Sequence, residues 1–487
     1  MNYSGFDVYE KSIHKIQIDG SPVEIFMAKD VPLGEGCGTD FLVATRIPSG
    51  FSGEPLAGGR YKLPLNHSNA NALRELFPFT APGRVLGKNR SFGVGDRLGI
   101  ATPGHIRLFE QYDVYPVFAQ QSIRELNLTG RSYEDVLDAA TFAVFREDFQ
   151  REWGADGDHL ITEQDIEYAL GLGFTMITLD CSEHIKGNVT EANAPPLPEK
   201  YREKYLGKQF DIGEGIALSF CETELKVIAA IYGEAIDFAA AMYGRFLKDN
   251  RCGAGGADLE ISIDETATPT TPFQHYFVAR ELIDRSVSFA TIAPRFCGEF
   301  QKGIDYMGDT VQFEKEIKVH AAIARHFNYK LSIHSGSDKF SVFPFIGREC
   351  RGIFHVKTAG TNWLEAMRVV AQTEPALYRE IHRYALDAFD EARKYYHVTA
   401  DLSKIPGVDS LADSELPQLF ENNDARQLIH ITYGLILRKK NPDGSFAFKD
   451  KLYRIWRQNK DVYAHALERH IGKHLDLLGI KRVNREQ

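Results

Sequence analysis

From about Pro82 onward the chain alternates short apolar runs, each closing on polar residues, with longer stretches of helix-like texture. The runs predict strands at Ser91–Arg97, Val114–Gln120, Gly154–Leu160, Thr175–Asp180, Leu259–Asp264, Phe289–Arg295, Lys330–His334 and Gly352–Lys357. The stretches between them read as helices at Ser132–Phe149, Thr162–Leu172, Phe273–Arg285 and Val311–Phe327. The first two open on a hydroxyl N-cap followed by acidic residues, the usual chemistry of a helix start. Strands alternating with helices imply parallel strands joined by crossovers, and eight of them predict an α/β fold, a closed (β/α)8 TIM-type barrel. A doubly wound open sheet is the alternative.

The flanks have a different texture. Residues 1–84 read as short strands and loops, broken by Pro22, Pro32, Pro48, Pro55 and Pro64, and are expected to pack on a barrel spanning residues 85–370. An insertion at about 184–256 opens on Pro195, Pro196 and Pro198, continues as one or two helices over Leu218–Asn250, and ends in the glycine cluster Gly253–Gly256. That cluster lacks a P-loop lysine and precedes a strand, so it reads as a turn rather than a phosphate cradle. Residues 371–487 are expected to be a helical extension, with Glu374–Tyr396 and Leu452–Leu478 its clearest segments.

Composition narrows the partners. With 57 basic and 67 acidic residues among 487, the net charge is −10, which disfavours a general binder of nucleic acid or anionic membrane. The N-terminus is polar and no run approaches the roughly 18 apolar residues of a membrane helix. A soluble cytoplasmic protein is expected, with no membrane partner; a homo-oligomer is left open. The six cysteines contain no Cys-x-x-Cys pair, which argues against a zinc ribbon or a dense disulfide framework.

In a barrel the reacting groups sit at the C-terminal ends of strands. Here those ends carry Asp96 and Arg97, Gln120 and Gln121, Asp158 and His159, Asp180, Asp264 and Glu265, Arg295, His334 with Asp338 and Lys339, and His355 with Lys357. Three histidines ending three strands, His159, His334 and His355, suit an open site for a divalent transition ion of the zinc, nickel, manganese, cobalt or iron kind. Asp158 and one of Asp264 or Glu265 would stand on separate walls as base and acid. Because neighbouring strand residues face opposite ways, Asp158 and His159 can share the pocket only if a turn or bulge interrupts the strand near Gly157. Arg295, Lys339, Lys357, Arg97 and Arg124 favour an anionic substrate, and Asp96, Gln120 and Gln121 suit hydroxyl groups. Together these point to a small sugar acid or sugar.

Seven segments then carry a resemblance. Ser91–His105, Phe118–Glu125, Ala155–His159, Ala293–Phe296, Lys302–Tyr306, His334–Phe340 and His355–Gly360 resemble, in order, the motifs of the tagaturonate epimerase family. That resemblance implies a metal-dependent barrel interconverting D-tagaturonate and D-fructuronate in hexuronate catabolism, some relatives acting on the neutral ketoses tagatose and fructose. It implies His159, His334 and His355 as metal ligands, Asp158 as proton acceptor and Glu265 as proton donor. A metal-dependent sugar isomerase or aldolase, and a catalytically silent sugar-acid sensor, are the competing readings.

Overall fold

The computed structural model describes residues 6–30, 38–248 and 256–483. Eight parallel strands close a barrel in simple sequential order: β1 (Arg90–Gly93), β2 (Tyr115–Ser122), β3 (Gly154–Leu160), β4 (Met176–Asp180), β5 (Asp258–Ile263), β6 (Thr291–Pro294), β7 (Lys330–Ile333) and β8 (Phe354–Lys357). Pairing of β8 with β1, from Phe354 opposite Arg90 to Lys357 opposite Gly93, completes the ring. The expected barrel is therefore present, with most strand limits within two residues of expectation.

The strands follow a two-residue rhythm whose apolar face points outward. Ile177, Leu179, Leu259, Ile261, Ile292, Leu331, Ile333, Phe354 and Val356 join the main hydrophobic core shared with the surrounding helices. Alternate positions put Ser91, Asp156, Thr178, Glu260, Thr291, Lys330, Ser332, His355 and Lys357 out of water. Barrels usually fill such positions with branched apolar side chains. The substitutes here hydrogen-bond one another, as buried polar groups must: Thr178 donates to Asp156 (2.9 Å), Thr291 to Glu260 (2.6 Å), and Lys330 to Ser91 (3.0 Å).

One strand is shorter than expected. β1 ends at Gly93, so Asp96 and Arg97 lie in the following loop and not at a strand end. Gly95 turns the backbone at φ +52°, and the Asp96 carboxylate then accepts from the backbone N–H groups of Leu98, Gly99, Ala101 and Thr102, which opens the helix Thr102–Phe109.

Before the barrel, six antiparallel strands form a separate sheet built around Ser21–Asp30 and Asp40–Ala44. Ile25, Met27, Leu42 and Leu63 of that sheet pack against Phe142 and Phe145 of the barrel helix Tyr133–Glu147. Within the insertion lie the helix Glu199–Tyr205, a two-stranded ribbon and the helix Glu222–Met242. The glycine turn expected at Gly253–Gly256, apart from its last residue, and the end of the helix expected at Asn250 lie outside the described residues. After β8 the helices Thr361–Thr373, Pro375–Ala392, Asn423–Ile431, Lys449–Gln458 and Lys460–Leu477 gather around a second core containing Trp363, Tyr378 and Trp456. Among the described residues no helix is long and apolar enough to cross a membrane.

Candidate active site

The third strand carries the irregularity that the Asp158–His159 step requires. Ile177 pairs with Gly157 but Leu179 pairs with Leu160, so three residues of β3 span two of β4. The extra residue is accommodated by His159, whose φ is +55°, in the left-handed region a non-glycine residue enters only when its surroundings hold it there. This bulge, at His159 rather than at Gly157, lets two consecutive side chains act at one place.

Those side chains are joined. His159 Nδ1 pairs with Asp158 Oδ1 at 2.8 Å, and the Lys357 ammonium donates to the same carboxylate at 2.5 Å. Burial pushes the Asp158 carboxyl up, but Lys357 and then His159 outweigh it and hold it well below the usual carboxylate range. Asp158 is thus an anion at neutral pH. Lys357 also reaches Asp156 (2.7 Å), Glu260 (3.2 Å) and the Thr178 hydroxyl (2.6 Å).

Across from β3, His334 sits just past β7. Its Nδ1 pairs with Asp264 at 3.0 Å and its Nε2 with Glu260 at 2.7 Å. Burial would lower its pKa, yet Asp264 and Glu260 raise it to about 10, so the ring carries a positive charge between two carboxylates. His159 and His334 lie 4.9 Å apart ring to ring. Donor atoms of His159, Asp264 and His334 all fall within 4.8 Å of one another, as do those of His159, Asp180 and Glu265. Glu265, 44% exposed, stands 3.8 Å from Arg124. Asp264, Glu265, Arg295 and His334 line a cavity of about 260 Å³ at the barrel mouth, together with Arg124, Lys302 and the aromatic segment Tyr395–His397.

A divalent transition ion fits this donor set. Two imidazoles and a carboxylate within one small sphere match its ligand preference. The Asp158 bond to Nδ1 of His159 leaves the other ring nitrogen for an ion, in the manner of carboxylate–histidine pairs at metal sites. The charge that a proton supplies on His334, between Asp264 and Glu260, is the charge a cation would supply.

The remaining expected residues are placed differently. His355 does not join His159 and His334. It lies two residues below Lys357 on the same face of β8, fully buried, with Nδ1 on the Ser91 hydroxyl at 2.9 Å and Nε2 unpartnered; burial lowers its pKa to about 3. Asp264 takes the third place beside the two histidines. Asp96 spends both oxygens on its own loop. Gln120 lies against Gly93 of the neighbouring strand β1, where a Cβ would come within 1.7 Å of its Oε1. Gln121, on the opposite face, accepts from Arg131 at 3.1 Å. Asp338 is held by Arg426 (2.7 Å) and His470 (2.5 Å), and Lys339 donates to the carbonyls of Gln301, Ile304 and Ser337. Both therefore anchor loops beneath the mouth and do not face the cavity. Lys357 orients Asp158 from inside the barrel. Arg295 does reach the mouth, where it donates to the Thr266 carbonyl and faces Glu299 at 3.6 Å.

A profile of the tagaturonate epimerase family matches residues 51–478. The chain belongs to that family. It is 43% identical to the tagaturonate/fructuronate epimerase of Thermotoga maritima, with 97% of each chain covered. The native crystal structure of fructuronate-tagaturonate epimerase UxaE from Cohnella laeviribosi superposes with a TM-score of 0.92 at 47% identity, covering 98% of this chain and 97% of that one. A glycerol complex of the same Cohnella enzyme matches at 48% identity with a TM-score of 0.91. As a member of the tagaturonate epimerase family the protein is an enzyme of the isomerase class, and the barrel mouth is where its strand-end chemistry gathers. Three residues of that mouth were not singled out by their position in the sequence. Glu260 is legible in the polar rhythm Asp258, Glu260, Ser262 of β5. Lys302 and Tyr396 come from a loop and a C-terminal segment that no strand-end rule selects.

Proposed function

We propose that the protein interconverts D-tagaturonate and D-fructuronate, with a divalent transition ion, by breaking and re-forming a carbon–carbon bond. The observation that carries this reading is Asp158, kept anionic by Lys357 beside the His159–Asp264–His334 group, with the second carboxyl, Glu265, on another wall. Family membership supports the substrate pair.

The two sugar acids differ at one hydroxyl-bearing carbon, beta to the ketone. Its C–H is not acidified by that ketone, whereas its O–H can be deprotonated. Asp158 takes the hydroxyl proton. The bond to the neighbouring alpha carbon then breaks: the alkoxide becomes an aldehyde, and the electron pair stays with the ketone fragment as an enolate. An ion held by His159, His334 and Asp264 would supply Lewis-acid polarisation of the ketone. The cavity walls retain the aldehyde while it presents its other face. The bond re-forms to give an alkoxide of inverted configuration, and Glu265 protonates it. Asp158 and Glu265 exchange roles in the reverse direction.

The test is epimerisation of tagaturonate in D₂O by ion-loaded protein. Product without solvent deuterium at the inverted carbon is expected, because that C–H is never broken. Full incorporation there would sink the carbon–carbon route, and undiminished turnover in excess chelator would sink the ion.

A further inference from the structure

We propose that Lys302, with Arg124, forms the subsite for the substrate's carboxylate. The inference rests on the sugar-acid reading above and deepens it. Lys302 lies in the loop that follows β6 and lines the mouth cavity beside Arg124 and Glu265. The backbone around it is fastened on every side. Lys339 donates to the carbonyls of Gln301 (2.8 Å) and Ile304 (2.6 Å), Arg426 to that of Gly303 (2.6 Å), and Gln427 to that of Lys302 itself (3.3 Å). Four carbonyls held by three buried side chains make a stiff platform for one half-buried ammonium group.

That ammonium lacks a counter-ion. Among the described residues no carboxylate lies within 4.0 Å of the Lys302 nitrogen, although this chain carries a net charge of −10. Glu125, a nearby carboxylate, is engaged by Arg97 at 2.9 Å. Arg124 stacks over the Tyr396 ring at 5.1 Å and, among the described residues, pairs only with Glu265, loosely, at 3.8 Å. Burial lowers the pKa of Lys302 and the positive charge of Arg124 lowers it further, and the more distant carboxylates Glu125 and Glu265 offset this only in part. A half-buried cation beside another, with no anion at contact, is costly unless a ligand supplies the missing charge. A carboxylate does so and fits both partners: the guanidinium offers a planar fork and the ammonium a point charge. A sulfate-like or phosphate group would fit the charge equally, but a terminal carboxylate is what a hexuronate brings. Because Arg124 also borders Glu265, a carboxylate held there fixes one end of the sugar acid beside the proton donor.

The experiment compares ion-loaded wild type with Lys302→Gln and Lys302→Arg, reading turnover of tagaturonate and calorimetric binding of tagaturonate and of the neutral ketose tagatose. Loss of one charge-assisted contact should weaken tagaturonate binding and raise KM by about 10- to 100-fold, with kcat changed far less. Tagatose binding should be unchanged in Lys302→Gln, and Lys302→Arg should recover most of the tagaturonate affinity. Equal weakening toward both sugars would mean that Lys302 is merely part of the wall, and would overturn the subsite, as would a tagaturonate affinity within twofold of wild type. Absence of tagaturonate turnover in wild type would defeat the proposed reaction, while the binding contrast between charged and neutral sugar would still decide the subsite.

Discussion

Two places in this molecule collect nearly the same side chains. His159, Asp264 and His334 meet at the barrel mouth; Asp338, His470 and His474 meet under the C-terminal helix Lys460–Leu477. Both groups bring their donor atoms within 4.8 Å of one another. In the second group every donor is already committed. His474 accepts from the backbone N–H of Asp338 at 2.9 Å through Nε2 and pairs with the His470 carbonyl at 2.8 Å through Nδ1, while Arg426 balances the Asp338 charge. The ring of His474 is also walled by Phe340 and Phe343 at 4.9 and 5.4 Å. At the mouth, Asp158 engages one nitrogen of His159, positive charge on His334 is held between two carboxylates, and a cavity of about 260 Å³ adjoins the group. Residue types alone therefore do not make a site. Access from solvent and an uncommitted lone pair do. Volume alone does not either: a cleft of about 910 Å³ between the N-terminal sheet and the barrel helices contains none of the strand-end carboxylates or histidines.

The contrast breaks first, and most severely, at the base. Asp158→Asn should cost ~10²–10⁴-fold in kcat while the thermal midpoint stays near that of wild type; kinetics and a melting curve on the same preparation check both halves. An Asp158→Asn protein that turns over within tenfold of wild type would return the catalytic role to another carboxylate. Asp338→Ala should do the opposite. Removing the carboxylate from a buried, hydrogen-bonded charge pair with Arg426 costs ~3–5 kcal/mol of stability, read by denaturant unfolding, with turnover of the folded fraction within a few-fold of wild type. The smallest expected effect is the most discriminating. His474→Ala leaves the Asp338 N–H without its acceptor, a loss of about 1–3 kcal/mol, and should not change divalent-ion content after dialysis. His334→Ala should lower that content. If the two histidine variants lose ion alike, the second cluster binds metal as well and the comparison fails.

Much of the barrel was legible because strand periodicity and crossover spacing are local properties. The apolar runs alternate with helical stretches at a regular spacing, and β3 and β4 were bounded within one residue. Its limits were misjudged where a side chain folds back on its own loop, as Asp96 does, since the sequence shows the carboxylate but not the four N–H groups it will meet. The mouth was legible in the Asp158–His159 step and in His334. It was not legible at His355, because the last polar residue of a strand and the one two positions earlier share a face but differ in depth by almost a full layer. Nor could strand ends predict the Tyr395–His397 wall, which depends on tertiary packing of helices far along the chain.

The charged floor of the barrel has a consequence for how the sheet can be assembled and altered. In a barrel lined by valine and isoleucine, sliding one strand past its neighbour exchanges one greasy contact for another of similar worth. Here Lys357 of β8 is matched to Asp156 of β3 and Glu260 of β5, which is itself bound to Thr291 of β6. A slip of any one of these strands would strand a charge away from its complement in a medium that cannot solvate it. The interior thus works as a combination lock on register, in which no single charged tumbler can be filed away alone, and variants that replace the floor with apolar side chains must change lysine and acids together.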